Sequence, residues 1–191
     1  VDIADIKREH LRKHIGIVLQ EPFLFSRTLQ ENLSITNENL TLTDIREAAR
    51  AACLDDTIEG FSKGYDTFVG ERGVTLSGGQ KQRAAIARML TQNTPIMIFD
   101  DSLSAVDTET DAQIRAALKG EKSGVTTLII SHRVTTLSQA DMILVLEDGR
   151  ITQQGTHEEL CREEGLYARI NAIQNTLEEE LNHALAAEAA Q

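Results

Sequence analysis

The chain has 191 residues, 41% hydrophobic and 26% charged, enough to bury one substantial core and ordinary for a water-soluble globular protein. Its net charge is −11, of which −6 falls in 157–191, where eight Glu meet two Arg; such an acidic chain is a poor default partner for nucleic acid. The lone, distant Cys53 and Cys161 exclude a disulfide framework and a zinc site, and read as reduced thiols of a cytosolic compartment.

Lys7–His14 is a charged segment that leads into a short β-rich run ending at Gln20. Pro22 breaks the chain's pattern just after that run. From Thr28 to Leu90 the pattern is mainly helical. Asp44-x-x-Glu47 matches a capping box that opens a helix with Ile45, Ala48, Ala49 and Ala52 on one face. Gly60, Gly64, Gly70 and Gly73 punctuate a loop-rich link. Ser77-x-x-Gln80 is a second capping-box match, followed by an apolar face with Ile86, Met89 and Leu90. "PIMIFDD" (95–101) and "VTTLIISH" (125–132) are continuous apolar runs and predict buried strands of a parallel sheet, with a helix over Asp107–Leu118 between them. "DMILVLEDGRITQQG" predicts a hairpin turning at Asp148-Gly149. Helices follow from about His157 to the end. Strands alternating with helices predict an α/β fold. No apolar run reaches bilayer-spanning length, and there is no signal peptide. The chain starts at Val1 inside an already patterned segment, so it reads as a fragment of a longer protein.

Three stretches carry chemistry. Asp100 and Asp101 close a strand at its C-terminal edge, where open α/β sheets place ligands and where a carboxylate can hold hydrated Mg²⁺. Ser77-Gly78-Gly79-Gln80 combines backbone that an anion can approach closely with a helix N-terminus, whose N–H groups attract negative charge. His132, at the end of the later strand, can reach a phosphate or polarise a water. Each alone has a plainer reading: two solvated acids, an ordinary helix cap and a polar strand end.

In their order and spacing, these pieces closely resemble the nucleotide-binding domain of ATP-binding-cassette (ABC) transporters, over nearly the whole chain. Gln20 is similar to the family's Q-loop, Leu76–Gln80 to its signature motif, Ile96–Asp100 to Walker B, Ser104–Asp107 to the D-loop, and His132 to the switch histidine. "GERG" (70–73) resembles the X-loop of the exporter branch, with Glu71 and Arg72 carrying coupling. "QEPFLFSRTLQENL" (20–33) resembles the exporter segment that faces the transmembrane coupling helices. "GRITQQGTHEEL" (149–160) matches the same branch, and bacterial multidrug or lipid exporters look nearest.

The resemblance implies a P-loop NTPase (RecA-like) parallel-sheet core, N-terminally truncated, with an inserted helical subdomain. Its parts would be 1–20 and 91–165 for the core, 21–90 for the helical subdomain and 166–191 for a helical tail. It implies ATP and Mg²⁺, a head-to-tail dimer with a second ABC ATPase domain, a transmembrane domain in the parent chain, and a place at the cytoplasmic face of the cell membrane. Asp100 and Gln20 would hold Mg²⁺, largely through water. His132 would contact the γ-phosphate. Ser77, Gly78, Gly79 and Gln80 would bind the nucleotide of the opposite site, and Asp107 would shape the dimer interface.

Two departures stand out. None of the 12 glycines is followed by Lys, so the Walker A motif is missing, and the isolated chain is expected neither to fold stably nor to bind ATP. Asp101 stands where most members have a catalytic Glu. One methylene less draws the carboxylate back by about 1–1.5 Å from a proton transfer that needs about 2.6–3.2 Å. That resembles the degenerate subunit of heterodimeric exporters, whose signature completes the partner's site. Two other readings stay open: a non-transport ABC ATPase acting in DNA repair or on ribosomes, and a non-catalytic relic.

Overall fold

The computed structural model describes residues 1–37, 39–70, 75–104, 106–121 and 124–189, without the side chains of 108, 119–121, 178 and 181–189. The chain forms two compact units, Val1–Ile130 and Ser131–Gln191.

In the first unit, α1 (Arg8–His14) leads into β1 (Ile15–Val18). Four helices follow: α2 (Leu29–Ser34), α3 (Leu42–Ala51), α4 (Asp55–Glu59) and α5 (Gly78–Leu90). Then come β2 (Ile96–Asp100), α6 (Thr108–Glu121) and β3 (Thr126–Ile130). The three strands form a parallel sheet in the order β1-β2-β3, with Val18 opposite Phe99 and Phe99 opposite Ile129. This is the α/β arrangement expected from the sequence. Its core joins one sheet face to the helices through Leu29, Leu33, Ile45, Ile86, Met97 and Phe99. Gly16 makes that approach feasible, since a Cβ there would lie 2.8 Å from both Met89 Cγ and Thr94 Oγ1.

Two expectations need correction. The box of α3 is not Asp44–Glu47. Thr41 is the N-cap: its hydroxyl accepts from the Asp44 N–H at 3.2 Å, and Asp44 Oδ2 accepts from the Thr41 N–H at 2.8 Å. The same T-x-x-D pattern one turn upstream satisfies two orphan donors and lengthens the helix, so it wins. The apolar face Ile45, Ala48, Ala49 and Ala52 is buried as expected. The second correction concerns β3, which is not a buried strand: Leu128 is 47% and Ile130 56% exposed. β3 lies at the edge of the sheet, and the face it shares with Ile17 has no cover among the described residues.

In the second unit, α7 (Val134–Leu137) precedes the hairpin of β4 (Ile143–Glu147) and β5 (Arg150–Gly155). Asp148 and Gly149 turn it with φ of 50° and 75°, the left-handed pair that a two-residue turn demands. Then come α8 (His157–Arg162) and α9 (Leu166–Ala189). Val134, Ile143, Val145, Leu160 and Tyr167 form this unit's own core. No described helix is long and apolar enough to cross a membrane.

Candidate functional site

Parallel strands end together, so the residues after β1 meet those closing β2 at one edge. Gln20 Nε2 donates to Asp101 Oδ2 at 3.4 Å, a long bond between residues 81 apart in sequence. Asp100 is the last residue of β2 and half-buried. Asp101 turns the chain with φ of 45°, in the left-handed region that Asp tolerates better than most residues. That turn is tied on both sides: the Asp101 N–H donates to Ile130 O at 2.9 Å, and Ser104 Oγ donates to Asp101 O at 2.6 Å.

The signature stretch is a capped helix start, as its sequence predicted. Ser77 Oγ accepts from the Gln80 N–H at 3.2 Å, and Gln80 Oε1 accepts from the Ser77 N–H at 2.9 Å. Ser77 and Gly78 are exposed, and Gly79 and Gln80 half-exposed. Three other helices carry the same box with a carboxylate in the third helical position: Thr28–Glu31, Thr41–Asp44 and Thr156–Glu159. Hydrogen bonds from the capping threonines hold those three carboxyls below the usual range. The α5 box uses a neutral amide instead, and its first turn holds no acid. Its positive end is therefore not offset from within, which suits an incoming anion.

Asp107 caps α6. Its carboxylate accepts from the Thr110 N–H at 2.9 Å and the Thr110 hydroxyl at 2.7 Å, and these bonds, the backbone one first, hold its carboxyl below the usual range. His132 belongs to the second unit, where Gln174 braces its backbone: Gln174 Nε2 donates to His132 O at 2.7 Å, and Gln174 Oε1 accepts from the Val134 N–H at 2.9 Å. Glu71 and Arg72 lie outside the described residues. The structure thus brings Gln20 and Asp101 together beside Asp100, and gives Ser77–Gln80 a local cluster of their own.

Sequence reasoning missed a polar brace behind the Gln20 loop. Asn32 is fully buried; its Oδ1 accepts from the Phe25 N–H at 2.8 Å and from Arg88 Nη2 at 3.0 Å, and its Nδ2 donates to Phe25 O at 2.9 Å. The available signal was its place between Leu29 and Leu33, on the face of α2 that faces inward.

A family model described as ABC transporter matches residues 1–104. The chain belongs to the ABC transporter family. It is 43% identical over 174 residues to the ATP-dependent lipid A-core flippase of Chromobacterium violaceum, covering 91% of this chain and 30% of that protein. It is 42% identical over 190 residues to NdvA of Rhizobium etli, a β-(1→2)glucan export ATP-binding/permease protein, covering 99% and 32%. Among solved structures, that of a bacterial Atm1-family ABC exporter with ATP bound aligns with a TM-score of 0.87 and 43% identity, covering 91% of this chain and 30% of that one. The chain thus spans about 30% of the length of the relatives it matches, in the part that belongs to an exporter's ATP-binding domain. This ABC-type α/β unit is consistent with a P-loop NTPase core.

Proposed function

We propose that the chain powers an ABC exporter as the signature-bearing part of its ATPase domain, working against a second ATPase domain in a head-to-tail dimer. The meeting of Gln20 and Asp101 at the C-terminal edge of β1 and β2, in a chain of this family, carries the reading. Phosphoryl transfer to water depends on positioning and charge neutralisation more than on covalent chemistry. Asp100 offers a carboxylate at the strand edge. Gln20, with Nε2 turned to Asp101, offers the hard oxygen Oε1. This donor set fits Mg²⁺, which keeps several waters and needs few protein ligands. Bound there, Mg²⁺ would neutralise charge on the phosphates.

In this reading Asp101 is the base, held short of the attacking water by its missing methylene. His132 contacts the γ-phosphate. Ser77, Gly78, Gly79 and Gln80 receive the γ-phosphate of the partner's nucleotide, and Asp107 shapes the interface through the helix it caps. Glu71 and Arg72 couple to a transmembrane domain. The core, the helical subdomain 21–90 and the tail 166–191 divide as the family resemblance implies, and the domain works at the cytoplasmic face of the membrane. The 191 residues alone, which contain no P-loop, are inactive. The partner is a different subunit whose own site is the faster one.

The test is ATP hydrolysis by the full-length exporter. Asp100→Asn should abolish turnover at this site. Asp101→Glu should raise total turnover and make the partner's catalytic base less critical. Unchanged turnover in Asp101→Glu, with a dispensable partner base, refutes the degenerate site. With the partner's own catalytic base removed, so that only this site can turn over, an activity that Asp100→Asn leaves unchanged refutes the ATPase reading.

A further inference from the structure

The Gln20 loop, 19–28, contains no helix or strand, yet two side chains of α5 hold its backbone. Gln82, only 1% exposed, donates from Nε2 to Leu19 O at 3.3 Å. Arg88 donates from Nη1 to Phe23 O at 2.9 Å. The two grips fall on either side of Gln20, Glu21 and Pro22. Arg88 also donates from Nε to Asn32 O at 2.8 Å and from Nη2 to Asn32 Oδ1 at 3.0 Å, and its guanidinium lies 5.8 Å from the centre of the Phe25 ring. Asn32 in turn holds both polar backbone groups of Phe25. One cation thus fixes the loop at Phe23 directly and at Phe25 through Asn32.

The composition of this brace is informative. Among the described residues Arg88 joins no salt bridge. Burial works against its charge and pulls its pKa down. An apolar side chain would fill the space without that cost, but it could not present a rigid planar fork of donors to several oxygens at once. Gln82 is similar: a buried amide spends its Nε2 on a carbonyl beside Gln20, where a methionine of like volume would pack as well. Both side chains sit on one continuous helix of 13 residues, about 20 Å long at ~1.5 Å per residue, which begins at the Ser77 cap.

We propose that Gln82 and Arg88 are positioning residues that clamp the Gln20 loop to α5, so that Gln20 and the Ser77 end of the signature helix move as one body. The proposal rests on the ATPase reading above and adds to it the side chains that hold Gln20 in place.

The experiment measures steady-state ATP hydrolysis by the full-length exporter with the partner's own catalytic base removed, so that the turnover read is that of the site holding Gln20, and carrying Arg88→Met or Gln82→Met, each alone and each combined with Gln20→Ala. Alone, each should lower kcat about 10- to 100-fold, the scale of a misplacement near 1 Å. The KM for ATP should stay within about twofold, since the loss is confined to the transition state. Combined with Gln20→Ala, neither should cost anything further. A purely structural role predicts losses that add in the double variants, and that result overturns the clamp while leaving the ATPase reading standing. A Gln20→Ala protein with wild-type kcat also overturns it, because nothing would then depend on where Gln20 sits. If the unaltered exporter hydrolyses no ATP, the functional reading falls and the clamp with it. Gln82→Met keeps the test decisive should Arg88→Met fail to fold, since it replaces a buried amide by an apolar chain of similar shape.

Discussion

Ser77 has two jobs in the proposed reading, and a pair of substitutions separates them. As an N-cap it satisfies the Gln80 N–H. As part of the signature it meets a phosphate. Ser77→Ala removes the cap, which costs about 1 kcal/mol. In a domain of this size that lowers the melting temperature by about 2–4 °C. Ser77→Asp keeps a good cap, because Asp ranks with Ser at this position, so the melting temperature should hold. A carboxylate about 4 Å from a phosphate, at an effective dielectric constant near 20, is repelled by about 4 kcal/mol per unit charge, or roughly 10³-fold in rate or affinity. The order of the two variants should therefore cross: Ala is the less stable, Asp the less active. Thermal unfolding and ATP turnover of the full-length exporter read the two axes. If Ser77→Asp hydrolyses ATP like the wild type, the helix end does not face a phosphate. If the activities simply follow the melting temperatures, Ser77 is only a cap.

Three further outcomes are expected. Asn32→Ala strips the Phe25 N–H of its partner, while the Phe25 C=O keeps the Arg27 N–H at 2.8 Å, and should destabilise the unit by about 1–3 kcal/mol, measured by thermal unfolding; a loss under about 0.5 kcal/mol would mean that water replaces the amide without penalty. Gly16→Ala drives a methyl into Met89 and Thr94 and should cost about 1–3 kcal/mol, whereas Gly78→Ala, which meets nothing within 4 Å, should leave the melting temperature nearly unchanged. Burial opposes ionisation of Asp55, but the Tyr65 hydroxyl at 2.6 Å, with Arg46 and Arg50, outweighs it and holds the carboxyl below its usual range. A depressed carboxyl stabilises the fold above its unfolded pKa of about 3.9 and loses that contribution as pH falls through the folded value. The stability gap between wild type and Asp55→Asn should therefore narrow from pH 6 to pH 3; a constant gap would show that the charge of Asp55 contributes nothing.

Local patterns were legible where the deciding interaction was itself local. The Ser77 box, the Asp148-Gly149 turn and the buried face of α3 each depend on residues within one or two turns of chain, and each stands where the pattern put it. The α3 cap failed for a reason of the same kind: two overlapping matches competed, and the one that adds a turn of helix won. The burial of β3 could not be read locally, because an apolar run states only that cover is wanted on both faces, and one face has none among the described residues. The brace of Asn32, Arg88 and Gln82 was the hardest to see. Apart from the Asn32–Phe25 pair, its bonds join residues 56 to 65 apart, and no period or spacing encodes them. What a sequence does offer is the misplaced polar residue, a buried Asn between leucines or an Arg beside the apolar face of a helix.

Asp101 illustrates how the backbone and the chemistry constrain one another. Its φ of 45° suits Asp, whose short side chain is comfortable in the left-handed region, better than it suits Glu. The turn is secured independently of the side chain, by the bonds of its N–H to Ile130 O and of its C=O to the Ser104 hydroxyl. Its carboxylate meets Gln20 over a long 3.4 Å contact. The place of the residue is thus set by its main chain. In the proposed mechanism the reach of the side chain, rather than the location of the residue, limits proton transfer. A short carboxylate beside a firmly clamped Gln20 leaves the positioning of the site to α5, the same helix whose other end would serve the partner's nucleotide.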